Sequence, residues 1–465
     1  MKRNAYLTGL LAAAASLLTA CGEDRTYQYI AKTEVDHWIE AQMQDVYLYY
    51  KDIPQLDTKY YFYPAEEFFP EILASQDKYS YLEMTDEATA RNFIQDVSYG
   101  FDFVLTDDPT GTTTHRMARV LQVLPESPAS QAGVKRGDFI TAVNGENITT
   151  DNTDLLQSGN GVTLTVSILE RTASDSLVWE PEPKELSLTA AVALENNPFF
   201  CQKIIDWGGR KVGYLMYNDF KMGTDKDNPD DRTYMEQMLT IFRAFKQQGV
   251  NEFVLDLRYN QGGYVNCAQQ LASLLAPAGS LGQEFAHFEF NDKRPDLNYA
   301  LPLQSELIDY NLNLNRLYII TGQYTASASE MMINCLRPYM TVNVLGTKTE
   351  GKNVAMTRID SPYDFVMYPV TSTIYNKDGQ SDYADGITPD YTVTELNYFP
   401  WGELGEPQQE LLLYNVLQWM VAGTPPNAEN IEEAETPGAQ RFTRTPDPGY
   451  SSIRQKGFPA AILQP

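Results

Sequence analysis

Ser327 is the residue in this sequence best placed for nucleophilic chemistry. It stands in Tyr324-Thr325-Ala326-Ser327-Ala328-Ser329-Glu330, after an apolar run, Leu317 to Ile320, closed by Thr321-Gly322, and before a helix-like run, Met331 to Leu336. The pattern predicts a strand, a tight turn and a helix start. A serine there exposes its hydroxyl at the end of a sheet, beside first-turn N–H groups that lack intrahelical partners and carry the positive end of the helix dipole. A hydroxyl next to free donors is what acyl transfer needs, a nucleophile beside a place for the oxyanion. Ser327 to Glu330 also spells a capping box, in which both side chains only satisfy backbone donors. Caps are the commoner of the two, so the heptapeptide by itself favours the cap.

A nucleophile needs a base. The chain has only 3 histidines, His37, His115 and His287, none in a recognisable catalytic setting. Lys352 closes Gly346-Thr347-Lys348-Thr349-Glu350-Gly351-Lys352, just after the apolar run Val342 to Leu345. A lysine in water is protonated at pH 7, and it becomes a base only where burial lowers its pKa. A third loop, Arg258-Tyr259-Asn260-Gln261-Gly262-Gly263, follows the apolar run Phe253 to Leu257. A glycine pair lets a backbone N–H point outward without a Cβ in the way. Gly262 or Gly263 can therefore serve as the second oxyanion donor beside Ala328.

These loops must be brought together by the elements that precede them. Val212 to Met216 reads as a strand, Tyr234 to Gln248 as an amphipathic helix ended by Gly249, Phe253 to Leu257 as a buried strand and Val265 to Leu275 as a helix. Alternating strands and helices predict an α/β fold with a mainly parallel sheet, whose loops at the strand C-terminal ends carry function.

With 465 residues, 43% of them apolar, the chain has room for a sizeable core and about three domains of roughly 150 residues. A formal charge of −27 repels phosphate backbones and excludes nucleic acid as an expected partner. Residues 1–21 read as a targeting segment, with Lys2 and Arg3 before a short apolar stretch, Tyr6 to Leu18. Leu18-Thr19-Ala20-Cys21 resembles a lipoprotein lipobox, which implies a lipidated Cys21 and a membrane contact through that anchor. Residues 22–97 read as an N-terminal helical domain: Val35, Trp38, Ile39, Met43, Val46 and Tyr47 recur near helical spacing, a second helix starts at Pro64, and Thr85 to Val97 reads as a third. Residues 98–192 read as a β domain, residues 199–422 as the α/β core, and residues 423–465, rich in Pro, Glu and Thr, as a loosely ordered tail. Cys201, Cys267 and Cys335 are odd in number and match no metal spacing, so no metal and no cofactor are expected; Cys267 and Cys335 lie in apolar helix-like runs, which predicts buried free thiols there.

Within the β domain, Ser127 to Gly145 (SPASQAGVKRGDFITAVNG) resembles a PDZ domain. That resemblance implies a peptide-binding edge, with Gly100, Phe101, Asp102 and Phe103 where such domains bind a ligand's C-terminal carboxylate. The core motifs Asp256-Leu257-Arg258-x-Asn260-x-Gly262-Gly263, Thr325 to Glu330 and Glu350-Gly351-Lys352 then occur in order, and Asp385 to Asp390 supplies a late G-I-x-P-D element. Together they resemble the carboxyl-terminal processing peptidases (tail-specific proteases, peptidase family S41), and the helical start is similar to Bacteroidetes-type lipoprotein members. The resemblance implies a ClpP/crotonase-like protease core with an inserted PDZ-like domain. It also implies a Ser–Lys dyad, with Ser327 as nucleophile, Lys352 as general base, Ala328 with Gly262 or Gly263 as oxyanion donors, and Glu330 in support. Asp256 and Arg258 read as a structural ion pair holding the turn. Two departures, Gly351-Lys352-Asn353 for the usual G-K-G and Gln261 for a third glycine, remove no catalytic group. The implied function is a lipid-anchored serine endopeptidase of the cell envelope, at the periplasmic face or the cell surface, that cuts unstructured polypeptides or their C-terminal tails. The alternatives are an inactive scaffold that captures peptides, and an acyl-CoA enzyme on a crotonase-like core, which the PDZ-like domain disfavours.

Overall fold

The computed structural model describes residues 26–85, 95–172, 176–225, 228, 230–425, 439–442, 444, 446–455 and 462–463. The targeting segment, including Cys21, lies outside the described residues. The centre is a six-stranded sheet in the order Phe199–Trp207, Arg210–Tyr217, Glu252–Asp256, Arg316–Thr321, Thr341–Gly346, Tyr391–Thr392. The first pair is antiparallel and every later pair parallel. Strands such as Glu252–Asp256 are buried along their whole length, as expected of a parallel sheet covered on both faces.

Each face has its own cover. On one side lie the helices Thr233–Gln247, Val265–Leu275 and Ala328–Leu336, sharing one apolar cluster with the sheet. Thr233–Gln247 buries Tyr234, Met238, Ile241, Phe242 and Phe245, the i, i+4, i+7, i+8, i+11 stripe that makes a helix one-sided. On the other side Leu411–Ala422 packs, and its cluster includes Val104 and Leu121 of the PDZ-like domain. That domain is a sheet ordered Lys184–Leu188, Val162–Ser167, Phe139–Val143, Met117–Val123, Phe101–Thr106, Pro448–Ser451. Its docking on the core is charged as well as apolar: Arg136 donates to Glu395 at 2.5 Å and to the Tyr259 hydroxyl at 2.8 Å.

Two expectations are corrected. Gln95–Ser98 is a strand, not the end of a helix, because it pairs antiparallel with Val192–Glu195. The strands by which the chain enters and leaves the PDZ-like domain thus clasp each other, and that long-range pairing overrides local helix preference. Residues 86–94 of the expected helix lie outside the described residues. The tail is also more structured than its composition suggests, since Gln440–Arg441, Pro448–Ser451 and Ile462–Leu463 each pair with a distant strand. The N-terminal segment does carry helices, Thr26–Val46 and Ala65–Glu71, with Pro70 inside the second. It is tied to the core by Tyr81–Met84, which pairs with Phe365–Tyr368.

Candidate active site

The serine turn is built by hydrogen bonds that sew it to the glycine-pair loop. Thr325 Oγ1 donates to the Leu257 carbonyl at 2.7 Å and accepts from the Gly322 N–H at 2.9 Å. The Ala326 N–H and the Ser329 hydroxyl both donate to the Asn260 carbonyl, at 3.2 and 3.1 Å. This clamp holds Ser327 at φ 58°, ψ −117°, a conformation that a residue with a Cβ rarely adopts. The helix Ala328–Leu336 starts on the next residue. Ser327 is fully buried and its Oγ has no hydrogen-bond partner. Of the two halves of a capping box, the bond that forms is the glutamate's: Glu330 Oε2 accepts the Ser327 N–H at 2.8 Å. The serine hydroxyl is not spent on the helix.

Ala328 is the first residue of its helix, so its N–H has no intrahelical partner. A Cβ on Gly262 (φ 109°) would stand 2.7 Å from Ser327 Cβ and 3.1 Å from the Ala328 nitrogen, so the glycine allows the two loops to touch. The Gly262 N–H itself donates to Asn260 Oδ1 at 2.8 Å. That corrects its place among the expected oxyanion donors, because a donor already committed to a neighbouring amide does not await a substrate. The expected pair narrows to Ala328 and Gly263.

Lys352 is fully buried. Its Nζ lies 3.2 Å from Met356 Sδ and 5.1 Å from the centre of the Tyr79 ring. Burial pulls its pKa down to about 7, while Asp77 and Glu330 pull the other way. Met356 stands four residues beyond Lys352 in the sequence; Tyr79 is a neighbour that sequence reasoning missed. The ring comes from Asp77-Lys78-Tyr79-Ser80, within the segment read as the N-terminal helical domain. Asp77 accepts the Tyr79 and Ser80 N–H groups and the Tyr47 hydroxyl, and Ser80 Oγ accepts the Val370 N–H. The tight Asp-x-Tyr-Ser turn was the available signal.

Glu330 joins the loops. Its buried carboxylate accepts from the Ser327 N–H at 2.8 Å, Thr349 Oγ1 at 2.6 Å, the Gly351 N–H at 2.7 Å and the Lys352 N–H at 2.8 Å. Burial pushes its pKa up to about 7 against these donors. Those four bonds tie the serine turn to the lysine loop, and all four go to groups other than the Lys352 amine.

The other expected residues lie elsewhere. Gly100 to Phe103 sit at the start of a strand of the PDZ-like sheet, where Ser452 Oγ accepts the Phe103 N–H at 3.0 Å and donates to Asp102 Oδ1 at 2.9 Å. A hydroxyl therefore stands where a ligand carboxylate was expected. His37 lies on the first helix near Glu40, and His287 bonds Glu284 and stacks on Tyr375. Cys267 and Cys335 are buried free thiols and Cys201 a half-buried one. Among the described residues there is no cluster of side chains able to hold a metal ion.

Residues 211–393 match the model of peptidase family S41, residues 119–169 a PDZ domain and residues 34–81 the S41 N-terminal domain. The chain is similar to probable CtpA-like serine proteases of Staphylococcus epidermidis, 23% identical over 286 residues, and of Staphylococcus aureus, 26% over 279. Those matches cover 60% and 58% of this chain but 51% and 49% of the relatives, so the chain spans about half their length. A solved Bacteroides fragilis structure assigned to the S41 proteases is 36% identical, with a TM-score of 0.73, and the match covers 83% of this chain and 97% of that one. With this agreement along nearly the whole of a solved relative, the chain belongs to peptidase family S41.

Proposed function

We propose that this chain is a serine endopeptidase that works by a Ser327–Lys352 dyad. The observation that carries the reading is the unpartnered, buried Ser327 Oγ, held at positive φ beside the first N–H of a helix, on a turn that Glu330 ties to the loop of a buried lysine of lowered pKa. In the proposed cycle Ser327 Oγ attacks the scissile carbonyl carbon as its proton passes to Lys352 Nζ. The oxyanion takes N–H donors from Ala328 and Gly263. Collapse breaks the C–N bond, and the departing amine leaves with the proton from the Lys352 ammonium. Water, deprotonated by the same amine, then attacks the acyl–Ser327 ester carbon; the C–Oγ bond breaks, and the Lys352 ammonium returns the proton to Ser327 Oγ.

The substrates proposed are unstructured polypeptides, cut from their C-terminal tails, with the PDZ-like domain binding peptide along its strand Phe101–Thr106. Incubating a denatured proteome with wild type and with Ser327→Ala, then sequencing the products by mass spectrometry, should give peptides made only by the wild type. Amidating the tails should slow their cutting. Identical product lists from the two proteins would leave the inactive scaffold as the better reading.

The proposed location is the cell envelope, through lipidated Cys21. The motive is the lipobox-like Leu18-Thr19-Ala20-Cys21. Intact-mass analysis of native protein should show a diacylglycerol adduct on an N-terminal Cys21; a product that starts elsewhere and carries no lipid would refute it.

A further inference from the structure

The strand Phe101–Thr106 would be the open edge of the PDZ-like sheet, and an open edge offers a row of backbone donors and acceptors to any extended peptide. Here the chain's own tail fills it. Pro448–Ser451 pairs antiparallel with this strand, Pro448 opposite Thr106 and Ser451 opposite Val104, so the tail runs towards Gly100. Tyr450 stacks on Phe103 with ring centres 5.8 Å apart and packs on the domain's apolar cluster, which includes Leu156. Gln157 Nε2 donates to its hydroxyl at 2.6 Å. One residue past the strand, Ser452 bridges the Phe103 N–H and the Asp102 carboxylate. Backbone pairing, an anchored alternate side chain and a polar group at the loop are the three parts of peptide recognition at a sheet edge.

We propose that Pro448–Ser452 is a built-in ligand of the PDZ-like groove, which an incoming polypeptide must displace before the domain can recruit it. This rests on the reading of that edge as the peptide site. The tail does not end at the groove. Arg454 lies 3.7 Å from Glu350, two residues before Lys352, and over the ring of Tyr324, three residues before Ser327. Further on, Ile462–Leu463 pairs parallel with Met356–Thr357, the strand whose methionine touches the Lys352 amine. Expelling the segment from the groove therefore also loosens contacts on both catalytic loops. A tethered ligand competes at an effective concentration set by its linker, in the millimolar range for a short one, and so masks a groove that a free peptide of modest affinity would otherwise fill.

The test uses full-length protein carrying Ser327→Ala, so that no probe is cut. The probe is a fluorescein-labelled peptide with the sequence of residues 446–455, PDPGYSSIRQ, followed by anisotropy. Adding Tyr450→Ala and Ser452→Ala should tighten probe binding at least ten-fold, because the internal competitor is weakened. A chain ending at Arg444 should show the same gain, and it answers the question if the double substitution fails to fold. A probe with alanine in place of its tyrosine should bind the opened chain at least ten-fold more weakly. Equal affinity in the closed and opened chains, or no binding to either opened chain, would overturn the proposal. Because Ser327→Ala removes turnover from the assay, a wild type that fails to digest casein would refute the peptidase reading and leave this result standing.

Discussion

Replacing Lys352 by alanine is expected to lower kcat/KM by roughly 10²–10⁴-fold, the range a positioned general base contributes. Lys352→Arg should be as inactive, because a guanidinium stays protonated throughout the working range. In wild type the rate should rise with pH through about 7, where the buried amine loses its proton. Replacing His37, His115 and His287 together should leave that limb in place. The same burial gives a stability signature of definite sign. Lys352 binds its proton less tightly folded, at about 7, than at its ordinary 10.5. The unfolded chain therefore holds more protons between those values, and the folded state carries a penalty that is full below about pH 7 and relieved as pH rises towards 10.5. Lys352→Met, apolar and of similar length beside Met356, should accordingly stabilise the protein at pH 7, by a gain on the order of a few kcal/mol that fades as pH rises. Denaturant melts at pH 7 and pH 10 measure it. A lysine variant that keeps wild-type activity, with one histidine replacement abolishing it, would place the base elsewhere.

The parts of this site that were legible in the sequence are those encoded locally. Glu252–Asp256, Arg316–Thr321 and Thr341–Gly346 are neighbouring parallel strands, so the loops after them meet at one end of the sheet. Each strand could be read from an apolar run and each loop from its glycine or its Ser-x-x-Glu pattern, which is why Ser327, Lys352 and Gly262–Gly263 were found as one constellation. Other parts depend on long-range partners that leave no periodic trace. Tyr79 reaches Lys352 across more than half the chain, carried by an N-terminal segment whose apolar cluster is shared with Val354, Met356 and Met367. Gln95–Ser98 becomes a strand only because Val192–Glu195 lies beside it. The segment Pro448–Ser451 holds a proline, a glycine and one large side chain, too little for a strand to be read, and it takes extended form from the edge it covers. The capping box and the nucleophile were inseparable in sequence, because they differ in the backbone angle at Ser327 and not in its neighbours.

Removing Arg258 is expected to be the most destabilising single change on the sheet side of the site. Its guanidinium is buried among three carboxylates: Asp256 at 2.7 Å, and Glu395 and Glu410 each at 2.8 Å. Arg136 of the PDZ-like domain adds a second cation, 2.5 Å from Glu395 and 3.6 Å from Glu410. Burial pushes the Glu395 carboxyl up, but Arg136 and Arg258 outweigh it and bring it down to about 2; Glu410 is lowered by the same neighbours. Arg258→Met fills similar space and leaves the carboxylates with Arg136 as the remaining cation, a change of the kind that costs about 3–5 kcal/mol. The cost should depend on pH. A carboxylate depressed in the folded state contributes stability above its unfolded pKa, about 4.3, and that contribution is lost as pH falls through the folded value, about 2. The gap between wild type and Arg258→Met should thus be full at pH 6–7 and shrink as pH drops below about 4. Thermal melts across that range measure it. Since Tyr259 and Glu395 carry the network to Arg136, the variant should also loosen the PDZ-like domain, seen as faster hydrogen exchange in Met117–Val123. An unchanged melt at pH 7 would mean that the ion cluster is replaceable by apolar packing and does not hold the glycine-pair loop in place.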